Sequence, residues 1–271
     1  KFVYYVQSLY QTDSNYVYPM FRILYKELYN EILIQKKYRA LLCLQNGKIV
    51  GRLLYTFEHS EKYNKKVCYF SFFDAVDDTT VARELFDTMQ TDMKKETCSY
   101  AEGTFTPYDP DTRRGLLISG FTGIPSLFTS YNYAYYEKLM DACGFSKIYD
   151  TYSLQADISA ETTEKVEKIA RFIKRRYPVT LEPLNLKKLE KEIHDIHHIL
   201  NIATTEENYQ DAPSIEMIAR VAKKMRLFLD RDMIIIAREE ETREPIGFCL
   251  VLPDFNQVFH KTKGRVSLLK F

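Results

Sequence analysis

An α/β fold, a β-sheet covered by helices, is what this sequence predicts, on three observations. Two apolar runs, Ala40 to Leu44 and Lys48 to Phe57, are joined by Gln45-Asn46-Gly47, and Asn-Gly favours the positive-φ turn that matches strand twist. The run Val67 to Phe73 is nearly continuous in apolar residues, as expected of a central strand covered on both faces. After it, Val81, Leu85, Phe86, Met89 and Met93 share one helical face behind the candidate caps Asp77, Asp78 and Thr79.

The remaining elements follow in order. Residues 1–18 are rich in Tyr and lead into Tyr18-Pro19, where Pro suits a first helical turn. Met20, Ile23, Leu24, Leu28 and Ile32 then recur at helical spacing. A strand is expected over Cys98 to Phe105, and a long loop over residues 103–132. That loop is dense in Gly, Pro, Asn, Asp and Ser yet carries Leu116, Leu117, Ile118, Phe121 and Phe128, the composition of a loop that covers something. A helix from Ala134 to Ala142 ends at Gly144, suited to a left-handed cap, and a last strand is expected near Lys147 to Leu154. Residues 156–176 read as a charged connecting helix with Val166, Ile169, Ala170 and Ile173 as its apolar positions. Its basic end, Lys174-Arg175-Arg176, suits a helix C-terminus better than it indicates a nucleic-acid patch. A second unit follows: strand Val179 to Leu181, helices Leu186 to Ala203 and Pro213 to Leu229, strand Met233 to Ala237, a charged turn, and strand Pro245 to Leu252. Ile49-Val50-Gly51-Arg52 beside Pro245-Ile246-Gly247-Phe248 suggests an internal repeat.

With 271 residues, of which 45% are hydrophobic, the chain can supply two cores. Its net charge of +1 provides no global field for nucleic acid or an anionic membrane. No run approaches a membrane span and the opening residues form no signal peptide, so a cytoplasmic location is expected. The five scattered cysteines read as buried free thiols. A start without Met and an end at Phe271 suggest part of a longer polypeptide.

Leu9-Tyr10 with Asn15 to Pro19, Gly47 to Arg52, Phe70 to Phe73, Pro107-Tyr108 through Gly115-Leu116-Leu117 to Gly120-Phe121, Tyr131-Asn132 with Tyr135-Tyr136, and Gly144-Phe145 occur in an order that resembles a bacterial protein family. That family carries tandem GCN5-related N-acetyltransferase (GNAT) folds, within the acyl-CoA N-acyltransferase superfamily. The resemblance implies a mixed sheet, flanked by helices, that splays open to admit acyl-coenzyme A, in two tandem copies. The domains would be residues 1–155, a connector at 156–176, and an incomplete second copy at 177–271. The implied activity is acetyl transfer from acetyl-CoA, or another acyl-CoA, to a small-molecule or peptide amine. A non-catalytic binding or assembly protein and an aminoacyltransferase of the cell-wall type are the alternatives, and a homo-oligomer is compatible with all three.

In that superfamily a glycine-bearing loop before a helix holds the cofactor's diphosphate. The matching stretch here, Asp74 to Thr80, has no glycine and three carboxylates, which would repel it. The usual acidic tyrosine is replaced by Met140; Tyr136 lies one turn earlier, although packing is the simpler reading for Tyr135 and Tyr136. The resemblance therefore shifts catalysis to the second copy. There Asp254 would hold or deprotonate an amine and Asn256 would orient it, unless Pro253 to Asn256 is an Asx-stabilised turn. By the same analogy Asn201, Glu206, Glu207 and Tyr209 would contact an acceptor, as would Tyr131 and Tyr136 in the first copy. His194, His197 and His198 lack the further ligands of a metal site and read as a surface cluster.

Overall fold

The computed structural model describes residues 1–107, 114–156, 159–206, 213–225 and 230–265. The chain is a mixed α/β protein with two sheets. It divides into two compact units: residues 1–151 together with the segment that begins at Asp254, and residues 152–253. The segment from Asp254, expected in the second domain, thus groups with the first.

The first unit opens with helices α1 (Tyr5–Leu9) and α2 (Phe21–Tyr29), followed by strands β1 (Tyr38–Gln45), β2 (Lys48–Ser60) and β3 (Lys65–Ala75). Helix α3 (Thr79–Lys95), the short strand β4 (Ala101–Gly103) and helix α4 (Tyr135–Ala142) complete its main body. Strand order is β1-β2-β3-β4. The first three strands are antiparallel and β4 runs parallel to β3. Asn46 and Gly47, at φ 50° and 74°, form the expected hairpin turn. Asp78 caps α3, its carboxylate accepting from the Thr80 N–H at 2.8 Å. One face of the sheet packs through Leu53, Tyr55, Phe70 and Phe73 against Leu85, Phe86 and Met89 of α3. The other packs through Leu54 and Phe72 against Val6, Leu24 and Leu28. At Gly51 an added Cβ would lie 2.8 Å from Val81, so α3 seats closely over that strand.

A bulge in β3 decides which side chains meet. Arg52 pairs with Asp74 but Leu54 pairs with Ser71, so Leu53 alone opposes Phe72 and Phe73. One extra residue exchanges the faces of every later side chain. Cys68 and Phe70 point toward α3, and so do Phe73 and Ala75, whereas Phe72 faces the α1/α2 side. Phe72 adopts φ 51° to make the switch, a conformation that costs a bulky residue on the order of 1–3 kcal/mol.

Two expectations fail here. Residues 147–154 form no strand, with Tyr152 and Leu154 left exposed, and the strand expected over 98–105 is shortened to residues 101–103, with Tyr100 and Phe105 adding one main-chain bond each to β3. A three-residue edge offers too few ladder hydrogen bonds to recruit a neighbour.

In the second unit, helix α5 (Ala160–Arg176) precedes β5 (Val179–Pro183), α6 (Leu189–Glu206), α7 (Ile215–Met225), β6 (Ile234–Glu239) and β7 (Pro245–Leu250). Its antiparallel sheet has the order β5-β6-β7. Ile234, Ile236 and Leu184 form its small core. Beside it the side chain of Arg238 bonds Glu182, Glu192 and Asp195 at 3.2, 3.0 and 2.7 Å. Burial opposes the charge on Arg238, but these carboxylates outweigh it and hold the guanidinium above its usual pKa. The two hairpins do share a Gly, but Gly247 has only the Ala237 Cβ near, at 4.0 Å, where Gly51 is covered by α3.

Asp92 supplies a pH test of the first unit. Lys95 foremost, then Tyr55 and Arg39, hold its carboxyl down to about 2 from 3.8. A depressed carboxyl stabilises the fold above its unfolded pKa and loses that contribution as pH falls through the folded one. Chemical denaturation of wild type and Asp92→Asn should therefore differ most above pH 4 and converge toward pH 2.

Candidate functional site

The side chains expected to carry chemistry in the first unit gather where β3 ends. Arg52 is 0% exposed. Its Nε donates to Asp74 Oδ2 at 2.7 Å, Nη2 lies 2.5 Å from the same oxygen, and Nη1 donates to the Phe2 carbonyl at 2.7 Å. The rings of Phe2 and Phe72 flank the guanidinium at 5.2 and 5.3 Å. Such a pair, buried and hydrogen-bonded, is costly to break by removing one member. Asp74 is therefore committed to Arg52, which leaves Asp77 and Asp78 as the other carboxylates of the turn. Asp78 is spent on the α3 cap, and Asp77 has Lys138 at 4.0 Å.

Two tyrosines finish the cluster. Tyr10 Oη donates to Asp74 Oδ1 and lies 3.2 Å from Tyr136 Oη. Tyr136 is 1% exposed, and its hydroxyl oxygen accepts the Ala75 N–H at 3.1 Å. Tyr135 Oη donates to the Ala75 carbonyl at 2.7 Å. The end of β3 thus has both main-chain polar groups of Ala75 occupied by α4. Burial above all pushes the Tyr10 and Tyr136 hydroxyls well above the ordinary phenol range. A phenol so raised is a poor proton donor to a thiolate. Tyr136, expected to touch a substrate, is instead a core residue, and Met140 is buried beside it.

Tyr131 gives its hydroxyl to Asp13, at 2.9 and 2.8 Å to the two oxygens. Tyr10 stacks on Tyr16 at 3.8 Å and on Tyr133 at 4.8 Å, so much of the tyrosine-rich start of the chain is packed into the core.

Asp254 and Asn256, expected in a second-copy cleft, close on the long loop of the first unit. Asp254 Oδ1 accepts from the Leu127 N–H at 3.0 Å and the Asn256 N–H at 3.2 Å, the latter an Asx turn. Asn256 Nδ2 donates to the Pro125 carbonyl at 2.8 Å. Helix α8 (Asn256–Thr262) continues the segment, and His260 bonds the Ser14 carbonyl at 2.6 Å. Gly264, at φ +73°, approaches so closely that a Cβ would stand 2.5 Å from the Pro19 carbonyl. The segment is a strap across the unit. It borders an open cleft of about 830 Å³ with Gln7, Thr12 and Tyr18 on one side and Lys261, Lys263 and Arg265 on the other.

Asn201, on α6, has its amide 3.1 Å from the His197 ring. His198 is 3.8 Å from Glu244. Tyr209 and Glu207 lie outside the described residues, as do Tyr108 and residues 226–229 of the expected helix. Among the described residues no group of three His, Cys, Asp or Glu side chains could hold a metal, and no helix is long and apolar enough to cross a membrane.

No protein-family model matches the chain, and no curated protein matches it. Among solved structures, a probable acetyltransferase aligns over 51% of this chain and 78% of that one, at 14% identity and a TM-score of 0.31.

Two substitutions test the geometry. Asp74→Asn should destabilise the first unit by about 3–5 kcal/mol in urea titration, because Arg52 is left buried and unpaired, while the double variant Arg52→Met/Asp74→Leu should recover much of that loss. Asp254→Ala should cost about 1 kcal/mol and accelerate amide exchange at Leu127.

Proposed function

We propose that this chain is an N-acyltransferase-like protein whose first unit binds no acyl-coenzyme A and serves as a binding or assembly unit. The motif resemblance and the order of helix, hairpin, central strand, helix, strand, loop and helix support the GNAT-type reading. The closed end of β3 carries the functional one. A cofactor arm lying along that strand would need the Ala75 N–H and carbonyl, and Tyr136 and Tyr135 already hold both. The following turn has no glycine to expose its N–H groups to a diphosphate, and Asp78 occupies the helix terminus where an anion would bind. The residues present do not fit coenzyme A.

Acyl transfer and aminoacyl transfer, the activities implied by resemblance, need a free base near an amine. Asp254 and Asn256 spend their side chains on backbone groups of residues 125–127 and on their own turn. Their role in this reading is to fasten the loop.

Calorimetric titration of the 271-residue chain with acetyl-CoA should give no saturable binding up to roughly 1 mM, the weak end of ordinary affinities. Saturable binding in the micromolar range would overturn the reading and restore an acyltransferase.

A further inference from the structure

Among the described residues nothing packs on the apolar stripe of helix α5. Every side chain described along it is exposed, and Val166, Ile169, Phe172 and Ile173 are 58%, 59%, 60% and 47% exposed. Most helices in proteins owe their stability to a packed apolar face rather than to propensity. Ion pairs one turn apart, Glu161 with Lys165 (2.6 Å), Glu164 with Lys168 (2.8 Å) and Glu167 with Arg171 (3.6 Å), support α5 along its polar side, each worth only about 0.2–0.5 kcal/mol.

Two patterns say what covers the stripe. The first is charge. Residues 160–167 hold Glu161, Glu164 and Glu167 against Lys165, whereas residues 168–176 hold Lys168, Arg171, Lys174, Arg175 and Arg176 with no acid. The second is symmetry. Val166, Ile169, Ala170 and Ile173 are arranged evenly about the midpoint between 169 and 170, so a copy of the helix laid antiparallel sets Val166 against Ile173 and Ile169 against Ala170, while Phe172, whose mirror position is Glu167, lies beside this symmetric set. The same arrangement sets the acidic half of one helix beside the basic half of the other. Parallel pairing would oppose like halves. Charge complementarity and a self-complementary stripe are the marks of a two-fold interface between identical helices.

We infer that α5 is a homodimerisation element that packs antiparallel on the α5 of a second copy, with the two-fold axis at Ile169–Ala170. Two helices of 17 residues form less than the roughly 800 Å² per partner of a standard interface. The dimer is therefore expected to be reversible and to strengthen at low ionic strength.

Sedimentation equilibrium of the chain at about 10–200 µM tests this, because that range spans an ordinary reversible dissociation constant. The expected result is a mass rising toward twice that of the chain, and its reversion to monomer in Ile169→Glu, an exposed position whose change leaves the fold intact by circular dichroism. Orientation is read by cross-linking in a Cys249→Ser background, since Cys249 is an exposed thiol. Ile169→Cys should form a disulfide dimer and Glu161→Cys should not, because antiparallel copies place their 161 positions about 25 Å apart. A monomer throughout the range overturns the proposal, as does a dimer indifferent to Ile169→Glu. Equal cross-linking at both positions overturns the antiparallel arrangement, and binding of a monomeric chain to phosphatidylserine vesicles assigns the stripe to a membrane surface instead.

Discussion

The first unit depends on one buried ion pair, Arg52 with Asp74. Burying a lone guanidinium or carboxylate is costly enough that each requires the other. Groups from three other places in the chain complete the pair. The Phe2 carbonyl takes Nη1, Tyr10 donates to the carboxylate, and Tyr136 joins Tyr10 to the end of β3. The bulge at Phe72 belongs to the same arrangement. Had β3 continued from Ser71 in unbulged register, Asp74 would oppose Gly51 on the face that meets Val81 and Leu85, and Arg52 would oppose Phe73 instead of its counter-ion.

That commitment also limits chemistry. Asp74, Tyr136 and the Ala75 main chain stand where a thioester cofactor would be expected from resemblance, yet each is already engaged within the protein. The network is packed and most of its polar groups are paired, although among the described residues Tyr5 Oη is buried without a hydrogen-bond partner and Arg52 Nη2 has only its ion-pair contact with Asp74. Such buried networks rigidify the structure around them.

Much of the fold was legible in the sequence, because local chemistry determined it. Asn46-Gly47 announced the hairpin, Asp78 the start of α3, and Gly144 the end of α4. The ion pair was not read, although a signal existed: Arg52 sits between Gly51 and Leu53-Leu54 in an apolar run, and a charge in such a place demands a partner. Naming Asp74 as that partner required knowing where β3 bulges, and no residue in Phe70 to Phe73 marks it, since Phe72 takes a left-handed conformation that composition would assign to Gly or Asn. Asp254 and Asn256 were legible as turn formers. Their attachment to residues 125–127 was not, because it joins positions 127 and 131 residues apart in sequence.

The strap has a consequence for how the protein is made. Residues 1–151 emerge from the ribosome with Leu127, Pro125 and Ser14 lacking the partners that Asp254, Asn256 and His260 later supply. Residues 152–253 must be synthesised in between, which takes on the order of 10 s at ordinary elongation rates. During that interval the long loop lacks these bonds and is held to the first unit by its remaining contacts, Tyr131 with Asp13 among them, so the nascent chain is more open to proteases and chaperones there than after residues 254–265 have been made.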